Sequence, residues 1–402
     1  MWNIFHDNFY AYRLVIVLFH ILIVILIYKL TLNLKYNRKI AFIAALLFSV
    51  LTSHTEALYF INCMNEIFSA FFILLGLYLF SKYKDLNPVR TLFIIIIFLS
   101  ALFSRESSVC YIPLILLLNF AKVKQRWRSV LLILIMPILV YASFRYYSEM
   151  LYVNSNLGTM ISSVDLNPIK ILYKIVHYFI MMLFPVKIIF EFIGFESLEF
   201  LINIYRKPME YLLSFVLFSV LLVTVFTIFI YHTLKILRKQ IIFPILFTLS
   251  SLCIYLFSFA TAERYSYLPS AGLCILMGIF FYKLNYSKIF RILLILFISI
   301  HLFSLIQRSY RYKQAAEFSH QSIKNLDEVT GSIENGSDIL MLSLPPKKYG
   351  IYFLNVPNFY YNWKYNYPLK EYNFIFDESN DFDKMDAVLK FDEPKSAFEK
   401  IK

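Results

Sequence analysis

The stretch that decides the fold is residues 14–32, LVIVLFHILIVILIYKLTL, in which Lys29 is the only charged residue. A helix needs about 20 mostly apolar residues to cross the hydrocarbon core of a bilayer. The stretch meets this requirement within a residue or so and lacks the strict alternation of a half-buried strand. The sequence therefore predicts that residues 14–32 form a membrane-spanning helix.

Further apolar runs extend this pattern along the chain. The stretch 91–121 is apolar apart from Arg105 and Glu106 near its middle, which predicts two short spans that meet at a polar hairpin. Segment 169–186 is compatible with a span or with a helix on the membrane surface. We predict an all-α polytopic membrane domain of about ten spans over residues 1–307. The other predicted spans are 40–60, 66–81, 129–147, 210–232, 241–260, 267–284 and 289–307.

The composition agrees with a membrane protein. Of 402 residues, 59% are hydrophobic and only 16% are charged, whereas soluble domains carry about a quarter charged residues. The net charge of +13 arises from short clusters between apolar runs, which is the pattern of membrane loops. No basic groove is indicated, and we expect no nucleic-acid partner.

The loop charges predict the orientation. Lysine and arginine concentrate in every second loop, and the intervening loops hold few cations, among them Arg105 and Arg264. Because short cytoplasmic loops are enriched in these residues, we expect Arg105, Arg264, the N-terminus and the tail after residue 307 to be extracytoplasmic. The cation-rich loops are 35–39, 82–90, 122–128, 235–239 and 283–291.

The tail, residues 308–402, is more polar and nearly neutral. Its pattern predicts a polar helix at 312–329 and strands at 338–344, 349–356 and 372–377. We therefore predict a small extracytoplasmic α/β module, which would either bind a ligand or serve as a lid or docking module for the membrane domain.

Four groups of polar residues interrupt the apolar pattern on the predicted outer side. Charged groups at membrane depth cost several kcal/mol unless they are paired or hydrated, so they are candidates for function. Simpler roles are helix capping, a favourable helix dipole at Glu66, or neutralisation of Arg105 by the adjacent Glu106. The candidates are His54, Glu56, Glu66, Arg105, Glu106, Glu263, Arg264, Tyr265 and Tyr267.

Arginines and carboxylates on one outer rim fit chemistry on a lipid-linked phosphate. Arginine presents a planar fork suited to phosphate, and a carboxylate can activate an acceptor hydroxyl. A transporter is the main alternative, although its site would lie near the midplane of repeated halves, and no such repeat is visible. The four cysteines show no metal-binding spacing.

Three segments resemble a known family. Residues 262–274, AERYSYLPSAGLC, resemble the A-E-R-x-x-Y-x-P-S-x-G-x-C signature of the transmembrane-and-TPR protein O-mannosyltransferases and their bacterial relatives, which are GT-C glycosyltransferases. Residues 53–58 with Glu66 are similar to that family's H-P-V-H-T-E-A-V and G-R-x-E-L. Residues 104–113, SRESSVCYIP, resemble its S-K-E-x-x-x-x-x-x-P. This chain departs from the family motifs at Leu51 and Thr52, which replace the first histidine and the proline of H-P-V-H, and at Met64, which replaces the arginine of G-R. Arg105 replaces the lysine of S-K-E.

This resemblance implies a GT-C-like membrane glycosyltransferase of the bacterial inner membrane. It implies a polyprenyl-phosphate-sugar donor, contact with membrane lipids, and an extracytoplasmic protein, lipid or glycan acceptor. Catalytic roles would fall to His54, Glu56, Glu66 and Glu263. The lipid phosphate and sugar would contact Arg105, Glu106, Arg264, Tyr265 and Tyr267. No metal ligand or cofactor is predicted, and a need for a divalent metal is left open.

The family places an essential acidic loop after its first span, and neither is expected in this chain. The predicted extracytoplasmic N-terminus agrees with a missing span, although a short translocated tail would also explain it. The chain is then expected to be a truncated or inactive form. The alternatives are a transporter or flippase, or a non-catalytic partner subunit in the assembly of cell-envelope glycans.

Overall fold

The structure is a computed structural model that describes residues 9–60, 63–83, 85–120, 125–151, 167–185, 240–257, 262–284, 288–331 and parts of 333–401. The chain divides into two compact units, Met1–Leu305 and Ile306–Lys402.

The first unit is built from helices whose ends carry most of its polar residues. The helices are α1 (Phe9–Asn33), α2 (Arg38–Val50), α3 (Thr55–Tyr59), α4 (Met64–Lys82), α5 (Pro88–Ser104), α6 (Tyr111–Leu118), α7 (Trp127–Leu151), α8 (Pro168–Leu183), α9 (Gln240–Leu256), α10 (Pro269–Leu284) and the first part of α11 (Lys288–Thr330). Short 3-10 turns at Thr52–His54, Glu106–Cys110 and Glu263–Ser266 precede α3, α6 and α10.

Local sequence explains where several helices begin. Asn37 and Asn87 cap α2 and α5, because their side chains accept hydrogen bonds from the amides of Lys39 and Arg90. Pro88 and Pro269 occupy the first helical positions of α5 and α10, where the missing proline N–H leaves no bond unmade.

Four described helices are long and apolar enough to cross a membrane, and the bent pair formed by α2 with Thr52–Tyr59 would make a fifth. The described residues thus agree with an all-α membrane protein, but they do not confirm about ten spans. The four helices are Tyr10–Asn33, Met64–Lys82, Trp127–Tyr147 and Arg291–Phe318.

The predicted segments have different outcomes in the structure. The predicted span 40–60 bends by 53° next to Leu51, which lies between two helical segments in an extended conformation. Segment 91–121 is broken after Ser104 into two shorter helices. The undecided segment 169–186 contains helix α8, and span 210–232 lies outside the described residues.

The second unit contains the end of α11 and a sheet. The predicted polar helix 312–329 is not separate, since α11 continues without a break from Lys288 to Thr330. The four-stranded sheet has the order β4-β1-β5-β6, with β1 parallel to β4 and β5, and β6 antiparallel to β5. A two-stranded antiparallel sheet joins β2 to β3. The strands are β1 (Asp338–Leu342), β2 (Lys347–Lys348), β3 (Ile351–Tyr352), β4 (Asn373–Ile375), β5 (Ala387–Asp392) and β6 (Ala397–Lys400).

The C-terminal strand predictions met with mixed results. Strands β1, β3 and β4 lie within the three predicted stretches, and β2, β5 and β6 were not predicted. The domain division at 307 and the extracytoplasmic location of the tail stay predictions.

Helix α10 packs closely between two neighbours because it carries glycine at both contacts. A Cβ added to Gly278 would stand 2.8 Å from the carbonyl oxygen of Ile40 on α2. A Cβ added to Gly272 would stand 2.5 Å from Thr248 Oγ1 and 2.7 Å from the carbonyl oxygen of Pro244, both on α9. Small residues let membrane helices approach in this way. The contact fixes the start of α10, which carries part of the site described below.

Replacing Gly278 by alanine is expected to loosen this contact. The added methyl group would meet backbone, which cannot rotate away, and overpacking of this kind costs about 1–3 kcal/mol. The measurement is the unfolding midpoint of the purified protein in detergent. Ser143→Ala, on the exposed face of α7, is the control and should leave the midpoint unchanged. Equal midpoints for both variants would contradict the close packing.

Candidate active site

Four charged side chains meet where helices of the first unit end. Glu56 lies on α3 and Glu66 in the first turn of α4. Arg105 is the residue that ends α5, and Arg264 lies in the turn Glu263–Ser266 before α10. Together with Tyr255 and Tyr265, they form a group that we call the ion-pair cluster.

The first ion pair joins Glu56 to Arg264. Arg264 Nη1 lies 2.5 Å from Glu56 Oε1, and the Arg264 backbone N–H donates to Oε2 over 3.1 Å. The carboxylate therefore receives the guanidinium on one oxygen and the backbone on the other. The Glu56 side chain is 17% exposed and the Arg264 side chain is 30% exposed. The pair is therefore accessible, although most of its surface is shielded from solvent. This double contact fixes the orientation of Glu56 as well as its charge.

The second ion pair joins Glu66 to Arg105 and lies deeper. The Glu66 carboxylate contacts Arg105 Nη1 through Oε1 and is only 5% exposed. Tyr255 OH donates to Glu66 Oε2 over 3.2 Å, and Ser107 Oγ lies 2.8 Å from Tyr255 OH. Buried charges need such partners, because desolvation otherwise outweighs their attraction.

Aromatic rings connect the two ion pairs. Tyr255 and Tyr265 stack with ring centroids 4.5 Å apart and planes inclined by 9°. The guanidinium carbons of Arg105 and Arg264 lie 5.1 Å and 5.0 Å from the centroid of Tyr265, within the range of a cation–π interaction. Tyr265 therefore contacts both arginines.

The electrostatics of the cluster keep Arg264 charged and Cys63 neutral. Burial, the largest single effect, would lower the pKa of the Arg264 guanidinium, but the Glu56 carboxylate together with Cys63 and Tyr265 holds that pKa above its ordinary value. Cys63 interacts electrostatically with all four charged side chains, and burial raises the pKa of its thiol to about 12. A neutral thiol is a poor nucleophile, so Cys63 is a poor candidate for nucleophilic chemistry.

The remaining candidates predicted from the sequence do not belong to the two ion pairs. Glu106 pairs with Arg145 over 3.3 Å, and both side chains are more than half exposed. Glu263 is buried. His54 and Tyr267 are buried and hydrogen-bonded to Ser270 and His20, respectively. Their predicted roles are not tested by these positions.

Sequence reasoning missed Tyr255, a member of the cluster, and the buried Lys174. Tyr255 stands in an apolar run, where nothing distinguishes it from a lipid-facing tyrosine. Lys174 is fully buried on α8 and donates from Nζ to the carbonyl oxygen of Leu256 over 3.0 Å. A lysine inside an otherwise apolar stretch was the signal available for it.

No metal site emerges in the part of the chain that the structure describes. Among those residues, no group of three or more histidine, cysteine, aspartate or glutamate side chains could hold an ion. The predicted absence of a metal ligand and the open question of a divalent metal stay as they were.

Removing Glu66 is expected to destabilise the protein far more than removing Glu106. Glu66→Ala would leave the largely buried Arg105 without its carboxylate, a change that typically costs about 3–5 kcal/mol. Glu106→Ala breaks an exposed pair and should cost less than about 1 kcal/mol. The readout is the free energy of unfolding in detergent. Similar losses for the two variants would show that the Glu66–Arg105 pair is not buried as described.

Comparisons with known proteins bear on the N-terminal part of the chain. Residues 1–104 match the family model for dolichyl-phosphate-mannose-protein mannosyltransferases. No curated protein and no solved structure matches the chain. The matched region contains Glu56 and Glu66 and ends one residue before Arg105.

The match confirms the mannosyltransferase-like resemblance over the first quarter of the chain. Together with the apolar helices, it supports a multi-pass membrane protein of the glycosyltransferase type. The segment around Arg264 lies outside the matched residues, so its resemblance to the A-E-R signature rests on the sequence alone. Over residues 1–104, this chain is similar to the dolichyl-phosphate-mannose-protein mannosyltransferases.

Proposed function

We propose that this protein is an integral membrane glycosyltransferase that transfers a sugar from a polyprenyl-phosphate donor to an extracytoplasmic acceptor. The observation that carries the proposal is the ion-pair cluster, which presents two arginines and two carboxylates at neighbouring helix ends. The family match over residues 1–104 supports the same class of reaction.

The arginines are the proposed binding groups for the donor phosphate. A guanidinium can give two parallel hydrogen bonds to phosphate oxygens. Each arginine has more than one terminal N–H, so a phosphate can bind beside the carboxylate that each contacts now. As the sugar–phosphate bond breaks, negative charge grows on the phosphate oxygen, and fixed cations in a water-poor site stabilise that charge.

Glu56 is the better candidate for the general base. Its carboxylate is more exposed than that of Glu66, which is 5% exposed and also receives Tyr255 OH. In the proposed step, the acceptor hydroxyl oxygen attacks the anomeric carbon and the bond from that carbon to the phosphate oxygen breaks. The hydroxyl proton passes to Glu56, and polyprenyl phosphate leaves. Glu66 then serves to hold Arg105 in place.

The apolar outer faces of the helices suit a lipid donor. Large hydrophobic side chains are exposed along α1, α5 and α7, among them Leu18, Phe93 and Leu139. Faces of this kind contact lipid tails in a bilayer, and a polyprenyl chain has the same chemistry. Following the loop charges, we place the cluster and both termini on the extracytoplasmic side. The resemblance to the bacterial relatives implies that the membrane is a bacterial inner membrane.

Arg264→Ala is expected to abolish transfer. The full-length wild-type protein and the variant would be reconstituted in vesicles with polyprenyl-phosphate-mannose, and release of polyprenyl phosphate would be measured. Loss of one donor to the developing charge typically lowers kcat by about 10²–10³-fold. Arg145→Ala is the matched control, because Arg145 is an exposed arginine paired to an exposed glutamate, and should keep wild-type activity. Turnover by Arg264→Ala at the wild-type rate would overturn the phosphate role.

Glu56→Gln separates the base from the binding groups. The amide keeps the size of the side chain but cannot accept a proton. The kcat should therefore fall at least as far as in Arg264→Ala, while the KM for the donor changes little. A rise in KM at constant kcat would instead assign Glu56 to binding.

A further inference from the structure

In addition to the ion-pair cluster, four rings pack against one another in the first unit. We call His20, Phe48, His54 and Tyr267 the four-ring cluster. Every pair among them is in contact: the centroid distances range from 4.3 Å for Phe48–His54 to 5.9 Å for His20–His54 and His20–Tyr267. They come from α1, from α2, from the turn Thr52–His54 and from the residue that follows the turn Glu263–Ser266.

His54 holds the start of α10 through Ser270. His54 Nε2 lies 2.7 Å from Ser270 Oγ, and Ser270 Oγ donates its proton to the carbonyl oxygen of Tyr267 over 2.7 Å. A hydroxyl has one proton to give, so His54 Nε2–H must be the donor to Ser270. The imidazole is thereby fixed in one tautomer and one orientation.

His20 holds the same segment from another helix. His20 Nδ1 lies 2.6 Å from the hydroxyl of Tyr267, and Tyr267 is 1% exposed. This bond ties the middle of α1 to the residue directly after the turn that carries Arg264. Tyr267 thus contributes its carbonyl to the Ser270 bond and its hydroxyl to the His20 bond.

Another buried histidine, His301, fixes the other end of the turn Thr52–His54. The Thr52 backbone N–H donates to His301 Nδ1 over 3.2 Å. Because that nitrogen accepts, His301 Nε2 carries the proton and donates to the carbonyl oxygen of Leu183 over 3.2 Å. The turn that precedes Glu56 is therefore held by hydrogen bonds from α10 and from α11.

The positions along the chain connect these bonds to the site. His54 is two residues before Glu56, and Tyr267 and Ser270 are three and six residues after Arg264. The His54–Ser270 bond therefore joins the same two segments as the Glu56–Arg264 ion pair. We infer that His54 and His20 are positioning residues, which act through Ser270 and Tyr267 to hold Glu56 and Arg264 in register.

Burial explains why histidine and hydroxyl groups serve in this position. His54 is 1% exposed, and Tyr267 and Ser270 are at most 1% exposed. A hydrogen bond between uncharged groups at this buried position avoids the desolvation cost that a further ion pair would have there. In low-dielectric surroundings it is also strong and directional. The charged pair can then lie nearer the surface, where a substrate can reach it.

The inference rests on the proposed function only for its kinetic test, which uses polyprenyl-phosphate-mannose in vesicles. Ser270→Ala and Tyr267→Phe should each lower kcat about tenfold and leave the KM for the donor within twofold, because the base is displaced while the phosphate contacts remain. Tyr36→Phe is the control: Tyr36 is also buried, and its hydroxyl donates to the carbonyl oxygen of Gln240 over 2.6 Å, away from the cluster. It should keep wild-type kcat.

A conservative rescue separates positioning from a general loss of packing. His54→Phe keeps a ring in the four-ring cluster but has no donor, whereas His54→Gln can donate from its amide to Ser270 Oγ. The glutamine variant should recover most of the lost kcat and the phenylalanine variant should not. Equal kcat in the two variants would overturn the role of the hydrogen bond.

A second measurement does not depend on transfer. The coupling between Glu56 and Arg264 is obtained from unfolding midpoints of Glu56→Gln, Arg264→Gln and the double variant. In the Ser270→Ala background this coupling should shrink to less than half of its wild-type value, and in the Tyr36→Phe background it should not change. Unchanged coupling with Ser270→Ala would overturn the inference, even if Arg264→Ala abolishes transfer. A lost coupling together with full transfer by Arg264→Ala would uphold the inference and reject the proposed function.

Discussion

The Glu56–Arg264 ion pair joins residues 208 positions apart, and the first unit is arranged around this contact. Charges at the edge of an apolar bundle are stable only when each has a partner. Four helix ends must therefore converge on one small volume: α3, α4, the end of α5, and the turn before α10. The close approach of α10 to α2 and α9, permitted by glycine at both contacts, brings that turn to the others.

The same requirement shapes the chemistry. Each arginine contacts one carboxylate, and Tyr265 contacts both arginines, so the four charges form a balanced group without a ligand. A phosphate that binds beside Glu56 on Arg264 changes this balance, because the guanidinium then divides its hydrogen bonds between two anions. Arg264 would then hold the Glu56 carboxylate less tightly, and the carboxylate would be free to accept a hydrogen bond from the acceptor hydroxyl. Binding of an anionic donor would thereby prepare the base in the proposed reaction.

The sequence predicted which residues carry charge into the site, but not how they pair. Arg105 and Glu106 are adjacent, and mutual neutralisation was one reading of them. In the structure, Arg105 ends its helix in an extended conformation, with φ −164° and ψ 136°, and successive side chains of an extended chain point in opposite directions. Arg105 therefore meets Glu66 and Glu106 meets Arg145. Hydropathy located most apolar helices, but it could not detect the bend near Leu51, nor distinguish Tyr255 from a lipid-facing tyrosine.

The two clusters join the same segments by different kinds of contact. The ion-pair cluster holds charges with side-chain exposures between 5% and 30%, where a substrate can meet them. The four-ring cluster and Ser270 make hydrogen bonds between imidazole, phenol and hydroxyl groups, which need no counter-ion. The Glu56–Arg264 ion pair alone would hold the two segments together poorly, since a bound phosphate would weaken it. The His54–Ser270 hydrogen bond between the same two segments would keep Glu56 beside Arg264 while the phosphate is bound.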